Sequence, residues 1–157
     1  MKKFMKYGTA ALLGAGLFVS GAVAADVMVK HNQESAKAPY ASSVMVPPGY
    51  NLYFISGSTG EGADTAAQTA ATLAGLKAQL AKQGLNFGDV VQAHVFLVGD
   101  PAKGGKMDFA GMNSAWFKEF GTAQQPNKPA RAAFQVASLA GSTDLVEIEF
   151  IAVKKAN

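Results

Sequence analysis

Residues 145–153, Leu-Val-Glu-Ile-Glu-Phe-Ile-Ala-Val, constrain this chain more than any other stretch. Side chains alternate faces along a strand. Val146, Ile148, Phe150 and Ala152 therefore share one face, and Glu147, Glu149, Ile151 and Val153 share the other. The first face needs a packed layer of helices or a second sheet. At 157 residues the chain is long enough for one domain with a real core and too short for two.

The other elements follow in order. Residues 40–46 can form a strand, and Pro47-Pro48-Gly49 cannot continue one. Leu52-Tyr53-Phe54-Ile55 is a short apolar run bounded by turn signals, which predicts a strand buried on both faces. Ser56-Gly57-Ser58-Thr59-Gly60 reads as a strand-to-helix loop whose glycines and hydroxyls also permit close approach by a ligand. Asp64 or Thr65 can cap a helix, with Gln68 placed for a capping box from Thr65 and an apolar stripe at Ala66, Ala70, Leu73, Leu76 and Leu80. Gln68, Gln79 and Lys82 fall on the opposite side, and Gly84 ends the helix. Residues 90–98 read as a strand and residues 99–106 as a flexible loop. Phe109, Met112, Trp116, Phe117 and Phe120 mark a second helix through their three- and four-residue steps. Residues 131–139 and 145–153 close the chain as strands. The pattern is α+β: a mixed sheet with two helices on one face. No third layer remains to cover the other face, so other subunits are expected to supply it.

Residues 1–24 read as a cleavable signal peptide. Lysines at the start precede an apolar run of about a dozen residues, short of the roughly 20 that span a bilayer. Ala22-Val23-Ala24 is then a cleavage site. The expected location is periplasmic or secreted, with no stable membrane association after cleavage. Residues 25–38 read as a polar leader in which His31 is solvated, and residues 39–157 as the domain. Without Lys2, Lys3 and Lys6 the 14 basic residues fall to 11, equal to the 11 acidic ones. A neutral balance gives no reason to expect nucleic acid. With no cysteine, thiolate metal sites, cysteine nucleophiles and disulfides are excluded. His31 and His94 are isolated, and no phosphate loop or Ser-His-Asp order is present.

Arg131 is the sole arginine and follows Lys128-Pro129-Ala130. The lysines suit a solvated surface. A guanidinium presents a planar fork that matches a carboxylate two bonds at a time. Composition leaves two readings open, an ordinary strand-end charge and an anchor for an anionic small molecule. If the last two strands paired as a hairpin, Arg131 would lie opposite residue 153, roughly 20 Å from Glu147. With an intervening strand, opposite directions would still leave them at opposite ends of the sheet. Either way the two residues share a small ligand only across a subunit boundary.

From residue 40 onward the domain resembles the RidA family (reactive intermediate deaminases, formerly the YjgF family). The likeness rests on Ala38-Pro39-Tyr40, Ile55-Ser56-Gly57, Asn113, Pro129-Ala130-Arg131 with Val136-Ala137-Ser138-Leu139, Val146-Glu147-Ile148-Glu149 and Ile151-Ala152-Val153. The resemblance implies a chorismate-mutase-like homotrimer with clefts between subunits. It also implies hydrolysis of enamines and imines such as 2-aminoacrylate to a 2-keto acid and ammonia, with no metal or organic cofactor. By motif, Arg131 would clamp the substrate carboxylate and Glu147 would orient or activate water. Tyr40, Ser56 and Gly57 would line the pocket, with Asn113 beside them. Ala133 stands where family members often carry cysteine and would offer its backbone N–H. The competing reading is a non-catalytic small-carboxylate-binding protein, in which Arg131 matters and Glu147 does not. Endoribonuclease activity, attached to the family by name, is disfavoured by the neutral charge and the lack of a histidine pair.

Overall fold

The computed structural model describes residues 27–156; the expected signal peptide lies outside them. Eight regular elements follow in order: β1 (Lys30–Asn32), β2 (Ser43–Met45), β3 (Tyr50–Ser58), α1 (Thr65–Lys82), β4 (Val90–Val98), α2 (Phe109–Trp116), β5 (Ala130–Val136) and β6 (Val146–Lys155). The main sheet has the order β3-β6-β4-β5. β6 runs antiparallel to β3 and β4, while β4 and β5 run parallel. The sheet is mixed, as expected, and β5 forms one margin.

Both helices cover one face. Val146, Ile148, Phe150 and Ala152 of β6 and Ala93, Val95 and Leu97 of β4 are buried there against Leu73, Leu76, Leu80, Met112, Trp116 and Phe120. Trp116 stacks on Phe120 with ring centroids 4.3 Å apart. Each large side chain so buried contributes about 1.5–3 kcal/mol. The alternation in β6 thus sets the layer order.

The opposite face is bare in the single chain. The reading of residues 52–55 as buried on both sides is corrected: Phe54 is 74% exposed and Leu52 56% exposed. Phe134 of β5 joins them. Among the described residues this face is covered only towards Val153, which is 3% exposed beside Met28, Val29 and His31, so an apolar run alone did not distinguish a two-sided strand from a strand with an open side.

Three further expectations change. Asp64 caps α1 by accepting from Ala67 N at 2.8 Å, but Thr65, Gln68, Thr69 and Thr72 are buried while Ala70 is exposed. Gln68 therefore faces inward, donating to the carbonyls of Gly62 and Thr143 and accepting from Leu145 N. It ties the start of α1 to the loop before β6. The leader is part of the fold: β1 pairs with β2, and His31 Nδ1 lies 2.7 Å from the carbonyl of Lys128. Residues 99–106 are pinned by the buried Asp100, whose carboxylate accepts from Ala102 N at 2.8 Å and whose backbone N–H donates to the Lys106 carbonyl.

Candidate functional site

Arg131 is the second residue of β5. Pro129 and Ala130 bring residue 41 against the strand, because Ala41 N donates to the Pro129 carbonyl at 2.9 Å. That contact sets Tyr40 beside Arg131. Helix α2 supplies the rest. Asn113 Oδ1 accepts from the guanidinium at 2.9 Å, and the thioether of Met112 lies 3.6 Å from its other terminal nitrogen. The guanidinium carbon is 4.7 Å from the centroid of Trp116 and 5.8 Å from those of Tyr40 and Phe109. Aromatic faces stabilise a cation they partly desolvate.

Burial lowers the Arg131 pKa to about 10, while the phenol of Tyr40 acts in the opposite direction. The side chain therefore stays charged throughout the neutral range. Among the described residues no carboxylate pairs with it. A cavity of about 310 Å³ opens beside it, lined by Tyr40, Phe109, Arg131, Ala132 and Ala133. A partly buried cation with no carboxylate partner among the described residues, next to an open cavity, has the chemistry to hold a small anion.

Glu147 lies elsewhere. Its neighbours Val146 and Ile148 are buried, so its side chain projects from the bare face. It lies against Gly57, where any Cβ would overlap its carboxylate. A larger residue there would push the Glu147 carboxylate aside. Ser56, exposed beside it, falls where the β3–β6 register shifts between Ile55 and Ser58. Glu147 has no hydrogen-bond or ion-pair partner among the described residues. Glu149 is different, because it holds His94 Nδ1 at 2.8 Å.

The structure therefore gathers the expected residues into two groups. Arg131, Tyr40, Asn113 and Ala133 stand together at the start of β5, and Glu147, Ser56 and Gly57 stand together on the bare face. Ala93 of β4 pairs with both Arg131 and Phe150, and Phe96 pairs with Glu147. Arg131 and Glu147 thus differ by three residues in level, about 10 Å along the strands, and by two strand spacings across, ~10 Å. They are not at opposite ends of the sheet, as the strand directions had suggested. The two faces separate them: Arg131 reaches towards α2, and Glu147 points away from it.

Phe109, Met112 and Trp116 escaped the sequence reading as site residues because their helical spacing marks core equally well. Their offsets of four, one and three residues from Asn113 are the signal that one helix face surrounds the arginine.

These features define a class: an α+β subunit with one uncovered sheet face and a cationic, aromatic-walled pocket at the start of its marginal strand. Residues 30–154 match the Endoribonuclease L-PSP family. A RutC family protein from Haemophilus influenzae is 36% identical over 128 residues, 77% of this chain and 91% of the relative. Protein DfrA of Myxococcus xanthus is 35% identical over 133 residues, 78% of this chain and 92% of the relative. A YjgF-family protein from Neisseria meningitidis has a TM-score of 0.57 at 30% identity, covering 83% of this chain and 98% of that one. E. coli TdcF, solved with bound serine, has a TM-score of 0.57 at 30% identity, covering 78% of this chain and 97% of that one. The chain belongs to the Endoribonuclease L-PSP family, the RidA or YjgF family, and its mixed sheet with two helices is that family's fold.

Proposed function

We propose that the protein is a deaminase that hydrolyses reactive 2-imino acids and their enamine tautomers to 2-keto acids and ammonia. The observation that carries this reading is the unpaired, half-buried Arg131 guanidinium beside an open cavity. A homotrimer would place the bare face of one subunit against the pocket margin of the next. Glu147 and Gly57 of one chain would then meet Arg131 and Tyr40 of another. Among the described residues Arg131 has no carboxylate partner and Glu147 no cationic one, which suits an arrangement completed by a neighbour and a ligand.

In this site Arg131 holds the substrate carboxylate through its fork. An enamine first gains a proton from solvent at carbon and becomes the iminium form of the imine. Water attacks the iminium carbon as Glu147 takes one of its protons, and the C=N π pair passes to nitrogen, which leaves a neutral carbinolamine bearing NH2. Glu147 returns that proton to the amine nitrogen and then takes the hydroxyl proton, so C=O forms as the C–N bond breaks and ammonia departs. Such imines already hydrolyse in water, so positioning and one base supply much of the acceleration needed. Serine bound to E. coli TdcF is a small carboxylate of related size. RNA cleavage, which the family description names, draws no support from the equal counts of basic and acidic residues beyond position 24. Residues 1–24 favour action outside the cytoplasm.

The test is hydrolysis of 2-iminopropanoate generated by an amino-acid oxidase. Arg131→Ala should lower kcat/KM by roughly two to three orders of magnitude, and Arg131→Lys should also fall because the fork is lost. Equal rates for the wild type and Arg131→Ala would sink the mechanism. Arg131-dependent binding of pyruvate without turnover would instead identify a carboxylate-binding protein.

A further inference from the structure

Lys128 is the one lysine that is buried among the described residues, at 5% exposure. This corrects the expectation that all lysines here are solvated. Its ammonium donates to three backbone carbonyls, those of Ala38 at 2.9 Å, Ser35 at 3.0 Å and Ala36 at 3.3 Å. All three of its donors are thus used, and no carboxylate lies on it among the described residues. Burying an ammonium against neutral oxygens is a costly way to fill space, since an apolar side chain of similar volume avoids the desolvation. Fold stability alone does not account for it.

The three carbonyls belong to the residues immediately before Pro39-Tyr40. The same strap is fastened further along, where Trp116 Nε1 donates to the Pro39 carbonyl at 2.7 Å and Ala41 N donates to the Pro129 carbonyl at 2.9 Å. Lys128 N also donates to Gln33 Oε1 at 2.9 Å. Gly121, at φ +75°, leaves room for the lysine stem; a Cβ there would stand 2.7 Å from Lys128 Cε. Every fastening converges on the segment that ends at Tyr40, whose ring is 5.8 Å from the Arg131 guanidinium carbon.

We propose that Lys128 is a positioning residue: by gathering the carbonyls of residues 35–38 onto one ammonium it holds Tyr40 over Arg131 and so sets the shape of the carboxylate pocket. The functional half of this inference rests on the reading of Arg131 as a carboxylate anchor, and the structural half does not.

Two measurements on Lys128→Met test it. Hydrogen exchange at the Ala41 amide should accelerate at least about tenfold while amides of β6 stay protected, because the strap opens locally without global unfolding. The dissociation constant for pyruvate and the KM for 2-iminopropanoate should both rise about tenfold, with kcat changed less than about threefold, the pattern of lost ground-state positioning. Lys128→Arg should recover part of the affinity, because it again supplies a cation to the carbonyls. Unchanged exchange at Ala41 overturns the strap. Faster exchange with unchanged pyruvate affinity overturns its role in the pocket. A wild type that binds pyruvate with this Lys128 dependence yet never turns over the imine refutes the deaminase reading and leaves the strap standing.

Discussion

The two faces of the sheet hold their functional charges in contrasting ways. On the covered face Arg131 is surrounded by Trp116, Tyr40, Phe109 and Asn113, all supplied by its own chain. On the opposite face Glu147 lies against Gly57 and beside Phe96, its cross-strand partner on β4, while exposed Phe54 and Leu52 stand further along the sheet on β3. In the proposed function the first group is complete within a subunit, and the second is completed by a neighbouring one. On the proposed reading the chain would fix its anion receptor during folding and its base on assembly, so activity should depend on association far more than carboxylate recognition does.

The strongest way to break that contrast is Phe54→Asp. The residue is 74% exposed in one chain, so the substitution should leave the circular dichroism spectrum and the folded subunit intact. In an assembled interface it would bury an unpaired charge at a cost of several kcal/mol. Sedimentation should show single chains, and imine hydrolysis should fall to the uncatalysed level. A fully active single chain would dissolve the distinction between the faces.

Glu147→Gln has a smaller expected effect and sharpens the contrast. It should lower kcat about a hundredfold, within the range general-base catalysis supplies, and change pyruvate affinity less than about threefold. Titration calorimetry beside the imine assay separates the two. Loss of affinity equal to loss of rate would move Glu147 into the binding half.

Much of the fold was legible. The alternation in residues 145–153 gave the two faces of β6, and the valine-rich run 90–98 matched β4 residue for residue. The register of α1 was not, because alanines say little about direction and threonines can be buried cheaply. Thr69 and Thr72 each return their hydroxyl to the carbonyl four residues back, at 2.6 Å and 2.8 Å. The strand β1 was hidden by its short, polar sequence, since its pairing with β2 depends on partners distant in the chain. Arg131 and Glu147 were legible as candidates through motif and chemistry. Their separation by face was not, because it depends on β4 lying between β5 and β6. Lys128 was invisible: nothing local in Asn127-Lys128-Pro129 announces three carbonyls from residues 35–38.

The central claim, a site assembled from Arg131 of one subunit and Glu147 of another, is tested most directly by mixing two inactive variants. Arg131→Ala and Glu147→Gln chains are unfolded together, refolded together and assayed for 2-iminopropanoate hydrolysis. Random assembly leaves about a quarter of the clefts with both native residues, so roughly a quarter of wild-type activity should return. Mixed oligomers that form yet stay as inactive as either variant alone would contradict the account.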